Sequence, residues 1–339
     1  MNAGVQIPAV SVVVIGRNEG RRLQACLASV HAADWLGLAY QLIYVDSHSH
    51  DGSPELALRC GAELLTLGDA RPCAAAGRNI GWRAAIAPLI LFLDGDTVLD
   101  PRFLSQALPA LSDPRLAAVW GHRRESRPRQ SIYTRVLDLD WIFAPGRVDY
   151  FGGDALVRRE ALAKAGGFDD QLVAGEEPEL CRRLRQAGWQ IEHIDAAMTQ
   201  HDLAVRSLAG WWTRAERAGL AYAQVAARFA DSPDPLWSAE ARRNRWHAGL
   251  LMAGAIALPL SLLWQAWLAG LLLLAGVLLW WRSARRCRWK CPQDAALAWC
   301  YAAHSQLQQI PIVVGQGRWW WLQKTRRAPS LIEYKRAGS

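Results

Sequence analysis

Over the first hundred residues, short apolar runs rich in β-branched side chains alternate with stretches whose apolar positions recur every three to four residues. Strands are predicted at residues 10–15, 41–45, 62–67 and 88–93, and helices at 21–30, 54–60 and 74–87. Strand and helix in regular alternation is the pattern of βαβ units, so the fold class that follows is α/β with a mainly parallel, Rossmann-like sheet. Such sheets bind ligands at the carboxyl ends of their strands. Three polar clusters fall at those ends: Arg17-Asn18-Glu19, Asp46-Ser47-His48 and Asp94-Gly95-Asp96.

Beyond Asp96 the pattern becomes mixed. A helix is expected at 103–111, a short strand at 117–120, a flexible charged stretch at 122–130, a helix at 180–187 and a strand at 191–199. This predicts one catalytic domain over residues 1–240, with a nucleotide-binding half at 1–100 and an acceptor half at 101–240. Residues 241–339 form an appendage. Its core is residues 250–281, a stretch of 32 residues without a formal charge. That is too long for one span of about 20 residues and short for two, and Pro259 and Trp264-Gln265-Ala266-Trp267 lie near its middle. Arginines flank it on both sides (Arg242, Arg243 and Arg245 before, Arg282, Arg285, Arg286 and Arg288 after). Flanks of the same sign favour an even number of crossings, hence a helical hairpin at about 248–282, with a re-entrant or interfacial pair as the alternative. Helical periodicity resumes at 295–309. Trp319-Trp320-Trp321, followed by Lys324, Arg326 and Arg327, reads either as an interfacial belt or as a buried aromatic cluster.

Charge sharpens the division. Of the 39 Lys and Arg and 31 Asp and Glu in the 339 residues, 11 basic and 2 acidic lie in residues 282–339, and the preceding 281 residues are nearly neutral. A basic tail beside an apolar run points to anionic lipid headgroups and not to nucleic acid. The seven cysteines show no paired CxxC spacing of the zinc-binding kind, and residues 1–10 lack the basic and apolar regions of a signal peptide. The expected location is the inner (cytoplasmic) membrane, with the catalytic domain facing the cytoplasm.

The chemistry gathers around acids. Residues 89–93 form an apolar strand that ends abruptly in Asp94-Gly95-Asp96. Two carboxylates one residue apart at a strand end face one pocket if Gly95 permits the turn, and Mg²⁺ or Mn²⁺ bound there would neutralise a diphosphate. The competing reading is a solvated turn. Glu176, Glu177 and Glu179 open a helix, where acids either complement the helix dipole or supply a general base. His201 is a candidate third metal ligand or diphosphate contact, or else structural.

Seven stretches, in order, carry a resemblance: residues 11–19 (Ser-Val-Val-Val-Ile-Gly-Arg-Asn-Glu), 44–53 (Tyr-Val-Asp-Ser-His-Ser-His-Asp-Gly-Ser), 76–81 (Ala-Gly-Arg-Asn-Ile-Gly), 92–96 (Phe-Leu-Asp-Gly-Asp), 151–154 (Phe-Gly-Gly-Asp), 166–169 (Gly-Gly-Phe-Asp) and 175–181 (Gly-Glu-Glu-Pro-Glu-Leu-Cys). Over residues 10–202 the chain resembles a membrane-associated, bacterial-type, inverting family-2 glycosyltransferase of the GT-A fold. The resemblance implies that Arg17, Glu19 and Asp46 hold the base and ribose of a nucleotide diphosphate sugar, with Asp46 accepting an imide N–H and so favouring a UDP-sugar. It implies that Arg78 approaches the phosphates, that Gly153 and Asp154 face the donor sugar, that Asp94 and Asp96 hold Mg²⁺ or Mn²⁺, and that Glu177 is the base. Glu176, Trp211, Trp212 and Arg214 are placed toward the acceptor or diphosphate, and the acceptor is expected to be a lipid-linked or membrane-delivered glycan. Two departures stand out: Ile15-Gly16-Arg17 replaces the family's Pro-Thr-x, and His48 and His50 replace small residues. The Gln-x-x-Arg-Trp pattern of chain-forming relatives is absent, which argues against processive synthesis. A nucleotidyltransferase would want a glycine-rich basic loop after the first strand, and an inactive scaffold would have lost its acids; neither pattern is met.

Overall fold

In the computed structural model, residues 7–68, 72–172 and 174–326 are described. The elements run β1 (Val10–Gly16), α1 (Arg21–Ala32), β2 (Tyr40–Asp46), α2 (Ser53–Arg59), β3 (Glu63–Thr66), α3 (Ala74–Ala84), β4 (Leu89–Asp94), β5 (Thr97–Leu99), α4 (Phe103–Ala110) and β6 (Leu116–Glu125). Then come α5 (Ile132–Asp138), β7 (Gly146–Arg147), β8 (Ala155–Arg158), α6 (Arg159–Ala165), α7 (Glu176–Gln186) and β9 (Gln190–His201). Five helices finish the described chain: α8 (Leu208–Arg228), α9 (Ser238–Trp264), α10 (Ala266–Cys287), α11 (Ala295–Leu307) and α12 (Gln309–Lys324). They fall into two compact units, the first made of residues up to Arg127 with Trp141–Ala204, the second of Pro128–Asp140 with residues from Val205.

The first unit is an α/β layer structure, as the strand and helix periods predict. Its strands form one sheet in the order β3-β2-β1-β4-β8-β6-β9-β5, with β7 paired to β9. β1 pairs in parallel with both β2 and β4, and β8 enters antiparallel to β4. Val10 to Ile15 are all buried because β1 is covered on both faces, which is why its sequence, apart from Ser11, is apolar on both faces and not alternating. α3 lies against this strand through Gly81, where an added Cβ would sit 2.2 Å from Val13 Cγ1.

Two features differ from the sequence reading. The stretch at 122–130 was expected to be flexible, yet β6 runs on to Glu125, its charged residues paired in register with β9 (Arg123 opposite Thr199, Glu125 opposite His201). Long-range pairing overrides the local polarity. The three-residue β5, too short to see as a pattern, pairs Thr97 with His201.

The second unit is helical. α8 and α12 cross closely because Gly219 and Gly315 face the partner backbone: added Cβ atoms would lie 1.9 Å from the Ile312 and Glu216 carbonyl oxygens. α9 and α10 meet at Gln265, whose backbone is extended, and both are long and apolar enough to cross a membrane. In the tryptophan triplet, Trp319 is buried while Trp320 and Trp321 are about half exposed. The triplet is thus split between a packed ring and two solvent-facing ones. Arg327 lies outside the described residues.

Gly81→Ala is expected to lower the apparent melting temperature, at a cost of about 1–3 kcal/mol, because its Cβ overlaps a buried strand side chain. Gly276→Ala, in a helix interior where nothing lies within 4 Å, is the matched control and should not lower the melting temperature.

Candidate active site

The site begins where β4 ends. Gly95 donates its N–H to the Ile15 carbonyl at 2.8 Å, and a Cβ on it would stand 3.1 Å from that oxygen, so the tight turn favours glycine. Thr97 Oγ1 donates to the Asp94 carbonyl at 2.8 Å and closes the turn. Pairing of β5 with β9 then brings His201 Nε2 to 3.1 Å from Asp96 Oδ1, with both residues buried. One ligand atom each from Asp94, Asp96 and His201 lies within 4.8 Å of the others. Two carboxylates and an imidazole suit a divalent cation, and the nitrogen ligand suits Mn²⁺ better than Mg²⁺.

Asp94 is fixed from three sides. Arg78 Nη2 donates to Oδ1 at 3.0 Å, Arg123 Nη2 donates to Oδ2 at 3.2 Å, and the Asp94 backbone N–H donates to Asp154 Oδ1 at 3.1 Å. Asp154 is itself buried, and its Oδ2 accepts from Thr199 Oγ1 at 2.7 Å. It braces the turn from below. Gly153 allows the approach: a Cβ there would stand 2.6 Å from Asp94 Oδ2.

Arg78 joins this acid to the next group. It sits on α3 with its side chain 3% exposed, and Nη1 lies 2.9 Å from Glu176 Oε1 and 3.1 Å from Glu177 Oε1. Burial by itself would lower the Arg78 pKa, but Glu177, Asp94 and Glu176 more than offset it and hold the guanidinium charged. Glu177 is pushed up to about 7, first by burial and then by the negative charge of Glu176, with Arg78 opposing. Arg78 and the glutamates come together because α7 opens at Glu176, four residues earlier than its apolar pattern suggests.

The loops after β1 and β2 form a second cluster. Asp46 is buried, accepting from Tyr44 Oη at 3.1 Å and from the Ser49 N–H at 2.8 Å. Asn18 Oδ1 accepts from the His50 N–H at 2.8 Å, and Ser49 Oγ accepts from the Asn18 N–H at 2.9 Å, so the two loops are laced together. Arg17 and Glu19 are half-buried on the first loop, where Glu19 pairs with Arg22 at 2.9 Å. A groove of about 680 Å³ adjoins, lined by Arg21, His50, Asp51 and Arg59 among others.

Trp211, Trp212 and Arg214 belong to the second unit, where Trp211 is buried and donates its indole N–H to His304 Nδ1 at 2.9 Å. Two residues beside the acids went unremarked in the sequence. Arg123 bonds Asp94, and its guanidinium lies 4.9 Å from the centre of the Trp141 ring, which meets His201 edge-on at 5.0 Å. Arg123 was hidden in the charged stretch read as flexible. Trp141 has no local motif to betray it.

Replacing Arg78 with Met takes away the guanidinium that Glu176 and Glu177 share and leaves Asp94 with Arg123. The expected loss is about 3–5 kcal/mol of stability at neutral pH. Urea unfolding should show the deficit shrinking as the pH falls and the acids take up protons; an equal deficit at both pH values would contradict the ion-pair account.

Comparison with known proteins fits this geometry. The model of glycosyl transferase family 2 matches residues 11–166, and that of glycosyl transferase family group 2 matches residues 89–307. A pre-mycofactocin glycosyltransferase of Mycobacterium tuberculosis is 29% identical over 241 residues, covering 67% of this chain and 49% of its own. An N-acetylglucosaminyltransferase of Mesorhizobium japonicum is 29% identical over 224 residues, 58% of this chain and 52% of its own. The chain thus spans about half the length of these two relatives. The solved mannosyltransferase PcManGT from Pyrobaculum calidifontis, in complex with GDP-Man and Mn²⁺, shares the fold with a TM-score of 0.67 at 20% identity, over 94% of this chain and 88% of that one. With the model of glycosyl transferase family group 2 matched over more than half its length, the chain belongs to that family group.

Proposed function

We propose that the protein is an inverting glycosyltransferase that moves a sugar from a nucleoside diphosphate donor, by preference a UDP-sugar, to a hydroxyl of a lipid-linked or membrane-delivered glycan. The observation that carries this reading is the buried Arg78, which ties Asp94 of the diphosphate side to Glu176 and Glu177 of the base side in one cluster.

Asp94, Asp96 and His201 would hold Mn²⁺ or Mg²⁺, whose charge neutralises the departing diphosphate. Glu177 takes the proton from the acceptor hydroxyl as its oxygen attacks the anomeric carbon; the bond from that carbon to the diphosphate oxygen breaks on the opposite face. A carboxylate with its pKa raised toward neutrality is a stronger base than a free glutamate and is still ionised at slightly alkaline pH. Arg123, beside Asp94 and more exposed than Arg78, adds positive charge near the leaving group. Asp46 is held rigid by Tyr44 and Ser49, and each of its oxygens keeps a further lone pair for an imide N–H, the basis for preferring uridine. Arg17 and Glu19 complete the nucleotide side, and Gly153, whose missing Cβ lets Asp94 and Arg78 close up, keeps its place toward the donor sugar through that pair.

α9 and α10 anchor the enzyme, with the arginines at their outer ends favouring the cytoplasmic side of the inner membrane. A membrane anchor serves an acceptor that is itself lipid-linked or delivered at the membrane.

Purified full-length protein in detergent, given UDP- and GDP-sugars with Mn²⁺ and a lipid extract, tests the reading through nucleoside diphosphate release. A UDP-sugar is expected to turn over, and Asp94→Ala to cut the rate by about a hundredfold or more. Turnover of no donor, or an unaffected Asp94→Ala variant, would refute it. The rate should rise as pH rises through the upward-shifted range of Glu177, because the base acts only when ionised. Glu177→Gln should lower kcat by about 10²–10⁴-fold and abolish that limb.

A further inference from the structure

The second unit presents an unusual surface. Both arms of the α9–α10 pair are apolar around their whole circumference: Leu250, Ile256, Leu262, Leu271, Leu274 and Val277 are each at least half exposed. A protein partner would cover one stripe, whereas acyl chains cover every face. The feet of the two arms rest on consecutive helices: Gln316 of α12 accepts from Arg245 at 2.9 Å and donates to the Ala241 carbonyl at 3.2 Å, and Trp280 donates to the Trp299 carbonyl of α11 at 2.9 Å. Exposed arginines ring these feet, among them Arg242, Arg243, Arg282 and Arg286, while the far tip at Gln265 carries no charge. Such a collar complements anionic headgroups on one side only.

Tryptophan marks both ends. Every exposed tryptophan among the described residues lies in the second unit. Trp246, Trp280, Trp281 and Trp289 stand at the feet; Trp264 and Trp267, 84% and 62% exposed, flank Gln265 at the tip. An indole N–H and a glutamine amide are poorly placed in hydrocarbon and well placed in a headgroup layer. The arms are short for the task. Residues 250–264 and 266–281 give helical lengths of about 22–24 Å, against a hydrocarbon core of about 30 Å. If the tip stopped inside the core, Trp264, Gln265 and Trp267 would be left there together.

We propose that α9 and α10 cross the bilayer completely as a two-pass hairpin, setting Trp264, Gln265 and Trp267 in the far headgroup layer and the arginine collar against anionic lipid on the near side. The hairpin is then matched to a thin bilayer, or thins the one around it. This deepens the membrane part of the function proposed above, and its test involves no sugar chemistry.

The test uses the full chain with Cys300→Ser, which removes the exposed cysteine, carrying either Gln265→Cys or Arg243→Cys, in sealed membrane vesicles probed with a membrane-impermeant maleimide. Labelling above the Cys300→Ser parent is measured with the reagent outside, then with it trapped inside. Gln265→Cys is expected to label only from the side opposite to Arg243→Cys. Labelling of both from one side overturns the proposal, as does a Gln265→Cys that reacts only after detergent, which would place the tip within the core. Leu263→Cys, at the neighbouring 86% exposed position, supplies the same readout should Gln265→Cys fail to accumulate. Reconstitution into phosphatidylcholine of increasing acyl length gives a second arm: opposite-side labelling should be complete in the shortest-chain bilayers and fall as the chains lengthen. Equal labelling at all lengths would overturn the thin-bilayer match.

Discussion

A single buried guanidinium organises the catalytic unit. Arg78 reaches three carboxylates on separate segments: Asp94 at the end of β4, and Glu176 and Glu177 at the start of α7. Three acids this close would repel one another without a cation among them, and burying a cation this deeply would be costly without the acids. Each therefore makes the other tenable. The cluster joins the parallel half of the sheet to the start of α7, so the acidic turn after β4 and the two glutamates are held by one side chain.

The close approaches around it follow from small residues. Gly153 lets Asp94 and Arg78 meet, Gly95 lets the acidic turn press on the β1 backbone, and Gly81 lets α3, which carries Arg78, lie flat on β1. Asp154 and Thr199 then brace Asp94 from beneath, and β5 delivers Asp96 to His201. The metal-ligand candidates thus depend on the pairing of β9, a strand about a hundred residues further along the chain.

The parallel half of the fold was legible because buried strands and amphipathic helices write their periods directly into the sequence. The acidic turn was visible for the same reason, since it ends a run of apolar residues. What local pattern could not reveal was set by pairing between distant segments. The end of β6 beyond residue 121 looked flexible because its charged residues make their partners across the sheet, and so Arg123 was missed. Trp141 owes its position beside His201 to tertiary packing, with no motif around it. Asp154, expected to face the donor sugar, spends its oxygens on the Asp94 N–H and on Thr199, a bracing role that only coordinates disclose. The apolar run of the second unit was clear from composition, while its break at Gln265 gave the two arms their lengths.

The central claim is that a divalent cation and a base carboxylate share the cleft organised by Arg78. A crystal structure of the protein with UDP and Mn²⁺, read by the anomalous signal of manganese, addresses it directly. The account predicts one manganese peak within coordination distance of Asp94, Asp96 and His201, the diphosphate bound to it, and the Glu177 carboxylate turned into the same cleft and still bonded to Arg78. A manganese bound elsewhere, or a Glu177 turned away from the diphosphate, would contradict it.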